Sequence, residues 1–283
     1  MPRYGLGYAP SVLLSHAQRT AENSAAYLLP HLRPDMVVLD AGCGPGSITL
    51  DLAGYVPEGR VVGVDVGEEA LVVARGEAAR RGDTRTEFQL ADITGLPFPD
   101  GAFDVVHAHQ VLQHVADPVA ALQEMTRVCR PDGWIACRDA DYEAMTWYPT
   151  SPGMTRWLET YRAMARLNGG EPDAGRRLKS WCLQAGLTKV QADASTWCYT
   201  TPESTQWWSR SWAQRARTPA FADRARELGL ATSQEVELMV EDWLRWGAAE
   251  NAWFVLVHGE VLARPSRSQQ RDLPQEGSER CGT

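Results

Sequence analysis

The sequence predicts an α/β protein with a doubly wound, mostly parallel seven-stranded sheet and helical cap insertions. Seven short runs of apolar residues recur along the chain, and helical segments separate most of them. This alternation is typical of parallel strands that are joined by right-handed crossover helices. A glycine-rich turn, GCGPG at 42–46, follows the first run, where sheets of this kind usually bind a ligand.

The individual elements follow from the apolar runs and from the turn residues between them. We expect strands at residues 36–41, 60–66, 86–92, 103–109, 133–140, 187–195 and 252–261. Helices are predicted at residues 12–32, 45–56, 68–80, 117–129 and 173–185. The helix at 12–32 rests on a three-to-four spacing from Val12 to Tyr27, and Gly186 is expected to end the last helix as a C-terminal cap.

Two segments, 141–172 and 196–251, break the alternation and are too long to be simple turns. We expect them to be helical insertions that form a cap over the sheet. Eight of the eleven tryptophans fall within these two segments. Such rings either pack the cap helices against the sheet or line a pocket for an aromatic ligand, and both interpretations stay open at this point.

Composition and charge narrow the classes of function. The 283 residues carry a formal net charge of -8, which disfavours a nucleic-acid partner because such binding draws on basic surface. The six cysteines form no C-x-x-C pair, which indicates reduced thiols. The N-terminus has no signal pattern, and no apolar run reaches the roughly 18 residues that cross a bilayer. We therefore expect a cytoplasmic protein without a membrane partner, as a monomer or a homodimer.

The glycine-rich turn and the acid after the second strand indicate a nucleotide-type cofactor. Gly42 and Gly44 allow a sharp turn and the close approach of a ligand. The turn is not the dinucleotide pattern G-x-G-x-x-G, because its third glycine is replaced by Ser47, and no P-loop Gly-Lys-Ser/Thr follows. Asp65 either accepts hydrogen bonds from ribose hydroxyls or caps the following helix. These residues leave both NAD and S-adenosylmethionine as candidates.

The segment LADITGLPFPDGAFDVVHAHQ at 90–110 separates these two candidates. Together with VLDAGCGPG at 38–46 and the Val64-Asp65 pair, it resembles the class I S-adenosylmethionine-dependent methyltransferases. The resemblance is to the branch that includes the ubiquinone- and menaquinone-type enzymes and many bacterial natural-product methyltransferases. It covers residues 12–140, and its motifs occur in the expected order.

The resemblance implies a set of contacts with S-adenosylmethionine. Gly42 and Gly44 are expected beside the methionine part, with Asp40 organising the loop. Further expected contacts are Asp65 with the ribose, Val66 and Ile93 with the adenine ring, Asp92 with the adenine amino group, and His109 and Gln110 with the sulfonium and the amino acid part. Arg19 is expected either to meet the cofactor carboxylate or to lie in solvent.

The order of strands, helices and long insertions sets the expected domain organisation. We expect an N-terminal helical lid at 1–33, the cofactor-binding half of a Rossmann-like domain at 34–140, a helical insertion at 141–172, core elements at 173–195, a cap insertion at 196–251, the last strand at 252–264 and a disordered tail at 265–283. The acceptor is then expected between the carboxyl ends of the strands and the cap.

Methyl transfer from a sulfonium requires alignment, exclusion of water and, for some acceptors, removal of a proton. The candidate bases are His109, His114 and Asp139, and His114 has an equally weighted interpretation as a packing or capping residue. Candidate acceptor-binding residues are Tyr4, Tyr8, Tyr142 and Trp147. Asp139 and Asp141 share one face of a strand, but without a third ligand in the sequence we expect no metal.

The sequence therefore predicts a small-molecule methyltransferase. The expected acceptor is an aromatic or heteroaromatic secondary metabolite, including indole-bearing compounds, of bacterial natural-product biosynthesis. Quinone C-methylation is the alternative within this family. An NAD-dependent oxidoreductase and a non-catalytic cofactor-binding protein are the alternatives from other classes. A nucleic-acid amino-methyltransferase is disfavoured, because HAHQVLQH replaces the Asn/Asp-Pro-Pro-Tyr/Phe loop after the fourth strand.

Overall fold

The computed structural model describes residues 19–265, and these residues contain a seven-stranded sheet. Its strands are β1 (Val37–Ala41), β2 (Arg60–Asp65), β3 (Glu87–Leu90), β4 (Phe103–His109), β5 (Cys129–Tyr148), β6 (Lys189–Tyr199) and β7 (Trp253–Arg264). Their order across the sheet is β3-β2-β1-β4-β5-β7-β6. Strands β1 to β5 pair in parallel, whereas β7 is antiparallel to both β5 and β6. The predicted fold class is confirmed.

Helices cover both faces of the sheet and one end of it. They are α1 (Ala21–Ser24), α2 (Ser47–Tyr55), α3 (Glu68–Arg81), α4 (Pro118–Val128), α5 (Pro152–Leu167), α6 (Leu178–Gln184), α7 (Pro202–Ala216), α8 (Pro219–Glu227) and α9 (Ser233–Gly247), with 3-10 turns at Leu29–His31, Leu112–His114 and Ala174–Arg177. Local sequence explains many of the ends. For example, the Asp117 side chain accepts a hydrogen bond from the backbone of Ala120 at the start of α4. Gly186 follows α6 with a φ of 90°, as expected.

The predicted helix at 12–32 is wrong for the part that the structure describes. Helix α1 begins only at Ala21, because the Thr20 side chain accepts a hydrogen bond from the backbone of Asn23 as an N-terminal cap. It ends at Ser24, and the chain then bends so that Ala25 and Leu28 are completely buried. Within residues 19–32 the three-to-four spacing therefore does not correspond to a continuous helix. Residues 12–18 and the predicted tail after Pro265 lie outside the described residues.

Strands β5 and β6 extend beyond their predicted ends and carry the cap. Strand β5 continues to Tyr148, and its last three residues pair with β7 after a register shift. Strand β6 continues to Tyr199 and pairs with β7 along its whole length. The residues that were expected to start the two insertions therefore belong to the sheet. Helix α5 follows β5, and α7, α8 and α9 follow β6, so these four helices form the cap.

Many of the cap tryptophans are structural. Trp157, Trp212 and Trp243 are completely or almost completely buried. The ring centroid of Trp157 lies 4.4 Å from that of Trp212 and 4.9 Å from that of Trp243, and both pairs meet edge to face. This arrangement is favourable for aromatic quadrupoles and joins α5, α7 and α9 into one core. Among residues 19–265, no helix combines the length and the apolar character needed to span a membrane.

The 3-10 turn before α6 meets the sheet at a close contact between two glycines. Gly259 in β7 packs against Gly175 in the 3-10 turn that precedes α6. A Cβ atom added to Gly259 would lie 2.0 Å from the carbonyl oxygen of Gly175. Backbone atoms on both sides would have to move, because no flexible side chain separates them.

We expect Gly259→Ala to lower the free energy of unfolding by about 1–3 kcal/mol, the usual cost of overpacking a dense core. Gly76→Ala is the matched control, because Gly76 lies in α3 with no atom within 4 Å of an added Cβ. The control should be unchanged or more stable by up to about 1 kcal/mol, since alanine favours the helix. Urea unfolding of both variants measures the difference, and a Gly259→Ala variant as stable as the parent would contradict the assigned contact.

Candidate functional site

The carboxyl ends of the parallel strands meet at one edge of the sheet, and most predicted cofactor residues lie there. The glycine loop at 42–46 follows β1, and Val66 follows β2. Asp92 lies just after β3, and Gln110 lies directly after β4. Because the four strands are adjacent and parallel, their following loops form one continuous surface.

The glycine loop has left-handed backbone geometry, and packing explains part of it. The φ angles of Gly42 and Gly44 are 76° and 54°, a region that favours glycine. The backbone N–H of Gly42 donates to the carbonyl of Val64 at 2.7 Å, which attaches the loop to β2. A Cβ atom on Gly42 would lie 2.3 Å from Cγ2 of Val111. The close packing of Val111 therefore requires a glycine at position 42, in addition to the predicted approach of a ligand.

Asp65 orders the loop from the end of β2. One carboxylate oxygen accepts a hydrogen bond from the backbone N–H of Gly44, and the other accepts one from Gly67, both at 2.9 Å. Gly67 is the N-terminal cap residue of α3, and that helix end has no side-chain cap, so Asp65 fixes the residue before the helix without capping the helix itself. A carboxylate oxygen can accept more than one hydrogen bond, so these contacts are compatible with a hydroxyl ligand at the same group.

Asp40 organises the loop through two buried partners. Its Oδ2 accepts a hydrogen bond from the Thr49 hydroxyl in α2 at 2.6 Å. Its Oδ1 lies 2.8 Å from Nδ1 of His107 in β4. Sequence reasoning missed His107, although the cross-strand pairing of Asp40 with His107 follows from the parallel register of β1 and β4. Both carboxylate oxygens of Asp40 are therefore engaged inside the protein.

Two apolar side chains at the expected adenine site are exposed to solvent and do not pack in the core. Val66 is 62% exposed and Leu90 is 55% exposed at this edge of the sheet. Ile93 is instead buried in the core. Asp92 binds locally, because its Oδ1 accepts from both the backbone and the hydroxyl of Thr94. Leu90 was not singled out from the sequence, because a strand-end leucine is ordinarily buried.

Gln110 connects three parts of the chain at the end of β4. It has a φ of 53°, which is uncommon for a residue with a side chain, and its backbone N–H donates to the Arg138 carbonyl at 2.7 Å. Its Oε1 accepts a hydrogen bond from the Arg19 guanidinium at 2.7 Å. Its Nε2 lies 2.7 Å from Nε2 of His258 in β7. Arg19 therefore binds within the site and does not extend into solvent.

His109 lies beneath this edge, in a buried polar layer. Its ring centroid is 5.7 Å from that of Trp197 and 6.2 Å from that of His258. Within residues 19–265, neither ring nitrogen of His109 has a hydrogen-bond partner. Burial, together with the charges of Arg19 and Arg138, holds the pKa of His109 well below its ordinary value, so the ring is neutral.

A cavity of about 550 Å³ adjoins Gln110 on the side of the cap. Six tyrosine and tryptophan side chains of the described chain line it: Tyr142, Trp197, Tyr199, Trp207, Trp208 and Trp212. Its polar lining includes Arg19, Gln110, Gln113, His114 and Arg215. The cavity has the size of a small-molecule site, and its lining combines aromatic rings with polar side chains.

Gln113 and His114 form the polar corner of this cavity. The side-chain Oε1 of Gln113 accepts a hydrogen bond from the backbone N–H of Ala140 at 3.3 Å. The side-chain Nε2 of Gln113 lies 3.0 Å from Nε2 of His114. The amide therefore donates and His114 Nε2 accepts, which places the proton of the neutral ring on Nδ1. Burial and the charge of Arg19 lower the pKa of His114 to about 4. Gln113 was missed by sequence reasoning.

Asp139 lies behind this corner and does not line the cavity. It is completely buried, and its Oδ1 accepts a hydrogen bond from the backbone of Gln113 at 3.1 Å. Within the described residues its Oδ2 has no partner. Burial raises the pKa of Asp139 from 3.8 to about 7. Asp141 is bound instead by Arg176, at 2.6 and 2.8 Å.

The predicted acceptor residues separate into three groups. Tyr142 lines the cavity. Trp147 does not, because its ring stacks on Phe254 with centroids 6.1 Å apart and packs against the cap core. Tyr4 and Tyr8 lie outside the described residues. No three His, Cys, Asp or Glu side chains within residues 19–265 are arranged to hold a metal ion.

Comparison with known proteins decides the family. A family model described as a methyltransferase domain matches residues 32–208, which is more than half of the chain. The chain belongs to the S-adenosylmethionine-dependent methyltransferase family. An uncharacterised methyltransferase of Schizosaccharomyces pombe is 35% identical to it over 271 residues, and the alignment covers 92% of this chain and 95% of that protein.

One further relative and one solved structure show how far the similarity extends. A demethylmenaquinone methyltransferase of Symbiobacterium thermophilum is 39% identical, but only over 39% of this methyltransferase and 45% of that protein. The similarity to quinone-modifying enzymes therefore leaves most of the chain unmatched. The YcgJ protein of Bacillus subtilis has the same fold, with a TM-score of 0.57, 20% identity, and coverage of 85% of this chain and 97% of that chain.

The residues at the edge of the sheet fit S-adenosylmethionine, which is the cofactor of the methyltransferase. The hydrogen-bond acceptors are appropriate. Asp65 ends β2 and Asp92 lies just after β3, where the hydroxyl and amino groups of an adenosine need acceptors. The exposed Val66 and Leu90 offer apolar contact to a flat ring. The backbone at Gly44 has no side chain that would obstruct a ligand. These groups are therefore chemically suited to this cofactor.

The buried carboxyl group of Asp139 predicts a pH dependence of stability. Because its pKa is raised in the folded methyltransferase, the stability that it contributes is present below about pH 4 and is lost as the pH rises through about 7. We expect the advantage of the parent over Asp139→Asn to decrease across this range, by at most about 4 kcal/mol. Urea unfolding at several pH values measures it.

Asp35→Asn is the control for this measurement, because Asp35 is an exposed acid in a surface ion pair with Arg33. The control should keep the pH profile of the parent. Parallel profiles for the parent and Asp139→Asn would show that Asp139 does not hold its proton in the folded state.

Proposed function

We propose that this methyltransferase transfers a methyl group to an aromatic or heteroaromatic small molecule of secondary metabolism that binds in the tryptophan-lined cavity. The observation that carries this proposal is the position of the cavity. It shares Arg19 and Gln110 with the edge of the sheet that fits the cofactor, and six aromatic rings form its wall. An aromatic acceptor, including an indole, gains both apolar burial and ring contacts there.

We further propose how the chain holds the cofactor. Asp65 accepts from the ribose hydroxyls while it keeps the loop in place through Gly44. The methionine part lies beside Gly42 and Gly44, and Gln110, Arg19 and the neutral His109 border its amino acid end. Asp92 accepts from the adenine amino group, and Val66 covers one face of the ring. Asp40 acts only as a positioning residue, since Thr49 and His107 occupy its carboxylate.

The reaction needs little covalent chemistry from the protein. The cofactor, when bound, supplies a methyl group on a positively charged sulfur, which already activates it for displacement. The aromatic wall excludes water and fixes the plane of the acceptor. The polar corner at Gln113 and His114 then provides the groups that orient the reacting atom and receive its proton.

His114 is the proposed proton acceptor in this corner, and Asp139 positions it. The ring takes the proton on Nε2 after the Gln113 amide, which donates to that nitrogen in this structure, turns toward the acceptor. His114 is neutral at pH 7, because its pKa is lowered to about 4. It is a weak base, so it suits an acceptor whose proton becomes acidic as the new bond forms. Asp139 holds the backbone of Gln113, the residue next to His114. His109 does not line the cavity and cannot reach the acceptor from its buried position.

Asp65→Ala is expected to weaken binding of S-adenosylmethionine by about 1–3 kcal/mol, because ribose hydroxyls lose their acceptor and the loop loses the bond at Gly44. Glu69→Ala is the control, since Glu69 is an exposed carboxylate in the first turn of the neighbouring helix α3. Calorimetric titration with S-adenosylmethionine and S-adenosylhomocysteine measures both. Equal affinities of the two variants would reject the ribose assignment.

His114→Ala is expected to lower the rate of methyl transfer about 100-fold or more, with unchanged affinity for S-adenosylhomocysteine, because positioned bases contribute factors of this size. Labelled-methyl transfer to a panel of aromatic and heteroaromatic compounds measures the rate. His31→Ala is the control, because His31 contacts Trp134 in a tilted ring pair, with centroids 4.7 Å apart, and does not line the cavity. Full activity of His114→Ala would show that alignment alone suffices.

A further inference from the structure

Helix α7 extends along the wall of the cavity, from its exposed end to its buried end. Glu203 and Ser204, in the first turn, line the exposed part. Arg215, in the last turn, lines the cavity at only 5% exposure. Arg215 lies eleven positions after Ser204 in the helix, which corresponds to about 16 Å along the helix axis. The cavity is therefore deep, and a guanidinium group lies at its buried end.

The indole of Trp212 restrains the guanidinium of Arg215. The central carbon of the guanidinium lies over the indole ring, 4.7 Å from its centroid, which is a cation–π contact. The five N–H donors of a guanidinium radiate in its plane, where they match the two oxygens of a carboxylate. Because this contact and burial restrict the side chain before any ligand binds, less rotational freedom remains to be lost on binding.

The charges that line the cavity favour an anion. In the described chain the charged lining consists of Arg19, Arg215 and Glu203, and the glutamate is at the exposed end. Burial raises the pKa of the Tyr142 hydroxyl, and the positive charges of Arg215 and Arg19 oppose this rise. The interior therefore has a positive potential, which disfavours a cationic ligand even though aromatic rings alone would attract one.

We propose that the acceptor is an aromatic carboxylate whose carboxylate group binds Arg215 while its ring lies among the tryptophans of the cavity. This proposal rests on the proposed function and names the class of its acceptor. The carboxylate is anchored at the buried end of α7, and the rest of the molecule extends toward Gln113 and His114. Charge-assisted bonds at one end and ring contacts along the wall then set which carbon, nitrogen or oxygen faces the cofactor.

Matched pairs of an acid and its neutral amide test the proposal. The probes are indole-3-acetic acid with indole-3-acetamide, and 2-naphthoic acid with 2-naphthamide. Each is titrated by calorimetry into the methyltransferase saturated with S-adenosylhomocysteine at pH 7.5, and tryptamine serves as the cationic probe. We expect at least one acid to bind about tenfold or more tightly than its amide, and tryptamine to bind more weakly than both.

Variants at the buried end of α7 assign the effect to one residue. Arg215→Gln should remove the preference for the acid and leave the affinity for the amide unchanged. Arg215→Lys keeps the charge without the planar pair of donors, so it should keep only part of the preference. Arg217→Gln is the matched control, because Arg217 follows the same helix at the surface and binds Glu237. Binding of S-adenosylhomocysteine by each variant verifies that it is folded.

Four results would overturn the proposal: no acid binds, every amide binds as tightly as its acid, tryptamine binds most tightly, or Arg215→Gln retains the preference. Failure of the acceptor class remains distinguishable from failure of the methyltransferase function. Intact binding of S-adenosylhomocysteine in any of these outcomes leaves the methyltransferase in place with another acceptor. Loss of that binding in the parent protein would reject the cofactor site itself.

Discussion

The antiparallel direction of β7 is the constraint on which the site depends. Because β7 lies between β5 and β6 and runs opposite to them, its first residues pair with the last residues of both neighbours. All three strands therefore extend past the edge where the parallel strands end. The cap helices follow two of these extensions, so the cap lies at the same edge of the sheet as the glycine loop. A parallel β7 would have placed the start of the strand at the opposite edge.

Gln110 is where the two halves of the site meet. Its backbone bonds to β5, and its side chain contacts both Arg19 and His258. These contacts hold the residue in a backbone conformation that it would rarely adopt alone. Residues 19–23 are also attached to β6, because the Trp197 indole donates to the carbonyl of Asn23 at 2.8 Å. Arg19 and Asn23 both line the acceptor cavity, and Arg19 also contacts Gln110 at the cofactor edge.

The parts of the fold that depend on local sequence could be predicted. The strand cores and the glycine loop follow from short apolar runs and from residues that tolerate a positive φ, so Gly42 and Asp65 were identifiable. Residues whose roles depend on pairing distant in sequence were not. Arg215 and His258 reach the site only through the register of β6 and β7 and the packing of α7. Periodicity also failed at 19–32, where bends of the chain imitate a helical spacing.

Trp147 and Trp212 both lie in segments that were expected to form the cap, but only Trp212 lines the cavity. Local sequence does not distinguish them. Which ring faces the cavity is decided by the face of the strand or helix that carries it, and this face is set by tertiary contacts. Trp212 does more than line the cavity, since it also meets Trp157 edge to face in the core of the cap. Trp207, by contrast, is only half-buried. Substitution at Trp207 can therefore change the range of acceptors. Replacement of Trp212 would change that range and would also destabilise the core of the cap.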